Sequence, residues 1–476
     1  MSRINTNVSS LYAQQGLSKS QGALNTTLQR LSTGLRINSG ADDPSGLIAS
    51  QQLKAEIAGI TQAVSNSQRA NNVIATAEGA LNEVSNLLQS VKGLIVQAAN
   101  SGAMSADEIK ANQLQLDSAV QSITRISETT TFAGLHLIDG SLDYLTSGVD
   151  KTAISQLGIS QANFGANPDL PVQLNVLTSA RQANLEFTAS SIANSVTLEI
   201  SGNQGTQTLT FTSGTAASAI AYAINTVSDS TGVTAKMTNL TTVASGITFV
   251  SDGFGSSSFV SIQAQKGTFA TKDTVGNPSL RTVGRDAVAT VNGALTTGDG
   301  LHLKLNTSSL DLDMTLDQNF GAGKTSFAIT GGGALFQLGA EVTSNQQVSI
   351  GIQSVAANKL GNGDVGFLTD VVTGGSSSLV SGNAAAASKI IDAAINQVSV
   401  FRGRLGAFQQ STLNTNINSL GIALENVTSA NSSIADADFA AETANLTRAQ
   451  ILVQANTSVL AQANASPQNV LALLGR

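Results

Sequence analysis

Two adjacent carboxylates, Asp42 and Asp43, stand in the run LQRLSTGLRINSGADDPSG (residues 28–46) and are the sharpest candidates for chemistry in the chain. Such a pair can hold a cation or divide acid and base roles, but either use needs further ligands or a proton partner. No His, Cys or third carboxylate lies nearby to complete a site. The residue order instead reads as helix punctuation, with Asp43 as N-cap and Pro44 as first residue of the next helix, and Asn38, Ser39 and Gly40 closing the previous one. The two histidines, His136 and His302, have no HExxH around them. Zinc needs several ligands together, so each is expected to be a hairpin or surface residue. GGG at 331–333 fits no phosphate-binding pattern and reads as a hinge at a domain junction. No catalytic residue, metal ligand or cofactor is expected.

Composition moves the question from chemistry to architecture. The chain has 476 residues, long enough for two to four domains, yet aromatics are 4% and charged residues 12%. Hydrogen-bonding side chains rather than charge must keep it soluble, which suits an extracellular surface. The balance of 24 basic to 31 acidic residues gives a net charge of -7, with no Lys/Arg run to neutralise phosphates, which argues against nucleic acid. Cysteine is absent, so disulfides, thiolate metal sites and Cys nucleophiles are excluded. The start, MSRINTNVSSLYAQQGLSKSQ, lacks the pattern of a cleavable secretory signal, and no stretch approaches the ~20 apolar residues of a membrane span. Export, if it occurs, is expected to use another route, without membrane insertion.

The two ends read as helix. From Leu17, large apolar residues fall at Leu24, Leu28, Leu31 and Leu35 on one stripe. Ile74, Ala77, Leu81, Val84, Leu88, Val91 and Ile95 alternate spacings of three and four without error, the mark of a coiled-coil-like seam. Towards the C-terminus, Ile391, Ile395, Val398, Phe401 or Arg402, Leu405 and Phe408 form another seam, resumed at Leu413, Ile417, Leu420, Leu424 and Val427. The five-residue step from Phe408 to Leu413 is a stutter, expected to change local winding without ending the helix. These seams must face each other, because nothing else in the chain is equally apolar.

Between about Pro168 and Gly333 the period falls to two. Val196, Leu198 and Ile200, the turn SGNQG, then Leu209 and Phe211 read as a hairpin. A helix over 216–227 and further strands follow, with a second β-rich stretch from 286 to 316 where Leu310, Leu312, Met314 and Leu316 alternate. The fold class is therefore multidomain α plus β: paired N- and C-terminal coiled-coil-like helices forming inner and rod domains, with a central mainly-β, ββαβ-containing outer insertion. Residues 1–36 carry only eight large aliphatic side chains against the entropy of ordering the segment. The extreme ends are expected to order only against other copies.

Three stretches resemble one family: NTTLQRLSTGLRINSGADD, AEGALNEVSNLLQSVKGLIVQAAN, and the tail DADFAAETANLTRAQILVQANTSVLAQANASPQNVLALLGR. Together they resemble bacterial flagellin over about residues 1–140 and 385–476. Related hook-junction proteins share the architecture but not the wording of that tail, and 216–262 resembles a small ββαβ module of flagellin and cap-protein outer domains. The resemblance implies an inner-tube helix and spoke at 1–43, rod helices plus a β-hairpin (FAGLHLIDG, 132–140) at 44–167, an outer variable domain at 168–333, a C-terminal rod segment at 334–435 and an inner-tube helix at 436–476.

It further implies site residues. Inner-tube assembly falls on Leu11, Leu17, Leu24, Leu28, Leu31, Leu35, Leu446, Leu452, Val453, Val459, Leu460, Leu471 and Leu474. The rod seam falls on Ile74, Leu81, Val84, Leu88, Val91, Ile95, Ile395, Val398, Leu405, Phe408, Leu413 and Leu420, and the spoke hinge on Asn38, Gly40, Asp43 and Pro44. The implied function is a self-assembling filament subunit and not an enzyme, exported through the flagellar type III apparatus. Implied partners are further copies of the chain, an export chaperone at the C-terminal segment, and hook-junction and cap proteins. LLQSVKGLIVQ, with Gln89 and Leu94, resembles the surface that an animal toll-like receptor reads in many flagellins. Here Ser90 and Gly93 replace the usual Arg and Glu, removing a guanidinium suited to bidentate contacts. The competing reading within this architecture is a hook–filament junction or cap protein. An enzyme carried on the insertion would need convergent polar groups that the sequence does not offer.

Overall fold

A computed structural model describes residues 6–165, 167–238, 246–307 and 309–474, with side chains of the last helix to residue 466. The chain forms two compact units. The first comprises the chain up to Arg69, Gln337–Val342 and the chain from Ser411 onward; the second comprises Ala70–Phe336 and Thr343–Gln410.

In the first unit, helix α1 (Val8–Thr33) opens on Asn7, whose side chain accepts the Ser10 N–H at 3.0 Å. It ends on Gly34, at φ 71°, whose N–H reaches the Arg30 carbonyl. Only glycine takes that left-handed conformation without strain, so α1 stops there. The expected closure at Asn38, Ser39 and Gly40 is thus corrected: Gly34 ends the helix and those three residues lie in the following loop. Helices α2 (Pro44–Ala99) and α3 (Ala106–Thr129) follow, and the last helix, Phe439–Leu474, lies antiparallel to α1.

The second unit holds the later part of α2, which faces Ala384–Ala407, and α3. In α2, Ala70, Ile74, Ala77, Leu81, Val84, Leu88, Val91 and Ile95 are all at or below 1% exposure. The facing helix buries Ala387, Ile391, Ala394, Val398, Phe401 and Leu405, also spaced by four and three. Ala394 therefore takes the seam position assigned to Ile395, which is half-buried beside it. Two ion pairs flank the seam: Arg402 donates to Glu78 Oε1 from Nη2 at 2.7 Å and from Nε at 3.0 Å, and Lys92 reaches Asp392 at 2.6 Å. Past Ala407 the helix continues through a π-helical segment, Phe408–Asn414, at the five-residue step between seams. A π turn absorbs one residue more than an α turn, which rephases the apolar positions without a break.

The β-rich part folds around two separate cores, again within the second unit. The hairpin Thr131–Phe132 with Leu135–His136 turns on Ala133 (φ 50°) and Gly134 (φ 84°), the two positive-φ residues of a tight hairpin loop. One core lies between a five-stranded sheet (Ala294–Leu295, Val288–Val291, Leu170–Thr178, Gly323–Gly332, Tyr144–Ser147) and a four-stranded sheet (Thr297–Asp299, His302–Asn306, Leu310–Leu316, Ile154–Ala162). The second core joins the sheet Arg281–Val283, Phe259–Lys266, Val196–Gly202 and Gly205–Phe211 to three strands and to helix α4 (Ala217–Asn225), which the short α5 (Ser228–Thr231) follows. Strands Tyr144–Ser147 and Ile154–Ala162 belong to the first core, so the β block starts upstream of Pro168.

Candidate functional site

With Ala384–Ala407 as α6, Thr415–Ala435 as α7 and Phe439–Leu474 as α8, the pair α1–α8 is the candidate site. On α1 the inward positions are Ser10, Ala13, Leu17, Ser20, Leu24, Thr27 and Leu31; on α8 they are Glu442, Leu446, Ala449, Val453, Asn456, Leu460 and Ala463. Both sets alternate spacings of three and four, so two straight seams meet. Leucine or valine layers alternate with small or polar ones, and the polar layers are bonded. Ser10 Oγ and Asn464 Oδ1 are 2.7 Å apart, while Asn456 Nδ2 donates to Ser20 Oγ at 2.7 Å and to the Gly16 carbonyl at 3.2 Å. Asn7 Nδ2 reaches the Ala463 carbonyl at 2.8 Å, and Arg30 lies 3.9 Å from the buried Glu442.

The seam divides the inner-tube positions expected from sequence. Leu17, Leu24 and Leu31 lie in it with Leu446, Val453 and Leu460, all half-buried. Leu11 and Leu28 point outward at 57% and 47% exposure, because Thr27 rather than Leu28 holds the inward place between Leu24 and Leu31. Leu452 and Val459 are likewise exposed, as are Tyr12, Phe439 and Ile451. The pair thus carries a second apolar surface that its own chain does not cover. Leu35 lies beyond α1, where it bridges to Asp436. The side chains of Leu471 and Leu474 lie outside the described residues.

The spoke is fastened by backbone atoms. Arg36 N–H donates to the Ala435 carbonyl at 2.7 Å, and Ala437 N–H to the Gly34 carbonyl at 2.9 Å. Both carboxylates act inside the following loop. Asp42 Oδ2 accepts from Asn38 N, Ser39 N and Ser39 Oγ at 3.1, 2.8 and 2.9 Å. Asp43 Oδ1 accepts from Gly46 N at 2.9 Å and Ser45 Oγ at 2.8 Å, capping α2 with Pro44 as its first residue. These bonds hold both carboxyls below the usual carboxylate range, led by the Ser39 and Gly46 N–H groups respectively. Gly40 packs beside Leu47. Further along the unit, Ser50 Oγ donates to Asn431, and Asn416 Nδ2 to Ser67 Oγ and the Leu338 carbonyl.

Of the remaining sequence-derived positions, Leu413 is buried, while Phe408 and Leu420 are half-buried. Phe408 lies tilted to Phe336 at 6.2 Å between centroids. Gln89 is exposed and Leu94 half-buried, off the α2 seam. His136 lies in the short hairpin, and His302 bonds Asp313 in the four-stranded sheet. Among the described residues, no group of three or more His, Cys, Asp or Glu gathers to hold a metal, and no helix is long and apolar enough to cross a membrane.

Sequence reasoning missed two features. Ser10, Ala13, Ser20 and Thr27 fill half of the α1 seam, invisible to a count of large apolar residues although their interleaving with Leu17, Leu24 and Leu31 was there to be found. Gln113, 1% exposed in α3, donates to the Val371 carbonyl at 3.0 Å and accepts the Leu379 N–H at 2.7 Å, clasping a Gly/Ser-rich segment.

Comparison with known proteins follows this division of the chain. Residues 4–143 match the bacterial flagellin N-terminal helical region, 388–474 the bacterial flagellin C-terminal helical region, and 197–253 the flagellin hook IN motif. The chain is 32% identical to a flagellin of Salmonella typhimurium over 99% of both chains. It is 32% identical to a B-type flagellin of Pseudomonas aeruginosa, again over 99% of both. Among solved structures, FliC from Burkholderia pseudomallei is similar at 16% identity and a TM-score of 0.26, covering 71% of this chain and 98% of that one.

Proposed function

The chain belongs to the bacterial flagellin family and is a structural subunit of the flagellar filament, and from that premise we propose that α1 and α8 are the segment that builds the inner tube. The observation that supports this is the two-sided character of the pair. One side is consumed by the α1–α8 seam, while Leu11, Tyr12 and Leu28 on α1 and Phe439, Ile451, Leu452 and Val459 on α8 remain exposed. Burying that surface against other copies supplies the driving force for polymerisation. The contacts are heterologous and do not close a ring, so they propagate one helical polymer. In this reading the chain leaves the cell through the flagellar type III apparatus, with a chaperone covering the C-terminal apolar surface until assembly. Hook-junction and cap proteins then bound the filament at its ends. Gln89 and Leu94 lie on an α2 surface similar to the one a toll-like receptor reads, but Ser90 and Gly93 stand in place of the usual Arg and Glu, so that recognition is expected to be weakened.

Removing residues 437–476 tests the assignment. The truncated chain is expected to form no filaments by negative-stain microscopy, even when seeded, while the second unit keeps its circular dichroism and cooperative melting. Filaments surviving the deletion would refute an inner-tube role for α8.

A further inference from the structure

The polar side of the four-stranded sheet carries a group of charges that neither the filament role nor the helix seams use. Asp313 Oδ2 lies 3.3 Å from His302 Nε2 on the neighbouring strand and accepts from Arg404 Nη2 of α6 at 3.0 Å. One carboxylate oxygen therefore joins sheet and helix. Around it stand Asp299 opposite His302, Lys304 directly opposite Asp313, and Asp311 on the same side of the strand. Asp311 Oδ1 is buried and has no hydrogen-bond partner among the described residues. Gln353 closes one flank, its amide so near Gly158 that a Cβ there would lie 2.8 Å from Nε2. Arg404 lines a small cavity together with Phe401, one turn before it, Leu405, the next residue, and Ile159 and Ile350 from the β block.

We propose that His302, Asp313 and Arg404 form a proton-responsive latch fastening the four-stranded sheet to α6. Asp313 is shared between a permanent cation and one that titrates. With His302 protonated, Asp313 bonds two cations and both attachments are charge-assisted. With His302 neutral, only the Arg404 side keeps that strength, and the three carboxylates of Asp299, Asp311 and Asp313 face two positive charges, Arg404 and Lys304, in place of three. The Asp313 bond holds the imidazole above its ordinary value, against burial and the repulsion of Arg404, and burial pushes Asp311 up. By linkage a raised folded-state value means the proton stabilises the fastened form. That contribution is complete below the ordinary imidazole value and is lost as pH rises through the raised one.

The experiment uses the full-length protein with isotopically labelled histidine, which gives only two imidazole signals, from His302 and His136. His302 is expected to titrate above a free imidazole, and Asp313→Asn to lower its midpoint, with His136 unmoved as the control for folding. Hydrogen exchange, corrected for intrinsic rates, is expected to speed up at 310–316 and 400–405 as pH rises through the His302 midpoint, and His302→Gln to abolish that dependence. A His302 midpoint indifferent to Asp313→Asn overturns the latch. So does pH-dependent exchange that persists unchanged in His302→Gln.

Discussion

Replacing Asn456 by leucine separates the stability of the α1–α8 pair from its register. The inward leucines of α1 recur every seven residues (Leu17, Leu24, Leu31), as do Leu446, Val453 and Leu460 of α8. Sliding one helix by a heptad, about 10 Å along the axis, therefore restacks apolar layers on apolar layers. What resists the slide is the polar layer, where Asn456 gives hydrogen bonds to Ser20 Oγ and the Gly16 carbonyl. In a slipped register Asn456 meets Ala13 or Thr27, and an unmatched amide in the seam costs about 1–3 kcal/mol, or roughly 5- to 150-fold in population. Asn456→Leu removes that penalty without orphaning Ser20, whose hydroxyl also donates to the Gly16 carbonyl at 3.0 Å. Helix content should hold or rise while register loosens. The chain has no native cysteine, so cross-linking reads this directly. In polymerised protein, Ser10→Cys with Asn464→Cys reports the native register and Ser10→Cys with Thr457→Cys the slipped one. The slipped pair should cross-link appreciably only in the Asn456→Leu background. Equal selectivity for the native pair in both backgrounds would show that Asn456 does not set the register.

Other perturbations follow from the same geometry. Gln113→Leu strands the Leu379 N–H and the Val371 carbonyl in the interior, at about 1–3 kcal/mol each; urea unfolding should report a loss of about 2–6 kcal/mol, and a loss under about 0.5 would show that the segment finds other partners. Asp43→Ala should speed hydrogen exchange at the Gly46 amide, whereas Asp43→Asn, which keeps the acceptor, should protect it. Because the Asp43 carboxyl is held below its ordinary value, its contribution is present above that ordinary value and is lost as pH falls through the lowered one; exchange at Gly46 that ignores acidification contradicts the cap. Deleting Gln410 converts the five-residue step between Phe408 and Leu413 into an ordinary α step. The variant should melt as cooperatively as the parent, while deletion of Ser399, within a run already in phase, should broaden the transition.

Long seams were readable because burial in them is written in residue size. The α2 run from Ile74 to Ile95 follows from apolar spacing, and the step after Phe408 marks a change of winding, though not its π form, by phase alone. The α1 stripe was harder: Leu28 is as apolar as Leu24, and only the partner helix decides that Thr27 faces inward. The β block yielded its alternation but not its two cores, since period-two patterning says which face is buried and not which sheet covers it. Tyr144–Ser147 and Ile154–Ala162 were missed as strands of the first core for that reason. The Asp313 group was opaque because LDLDMTL displays its leucines, while its aspartates acquire meaning only when Arg404, far along the chain, arrives beside them.

The spoke has a consequence for how the molecule can change over time. Gly34 and Arg36 are sewn to Ala435 and Ala437 through main-chain atoms, so the fastening is indifferent to the side chains at those places. The polypeptide departs and returns at one clasp, and everything between is an excursion from it. An excursion can be lengthened, shortened or exchanged without altering where its two ends meet. A change of length in the sheets therefore leaves this main-chain clasp in place, and what such a change must respect is the Asp313–Arg404 tie to α6.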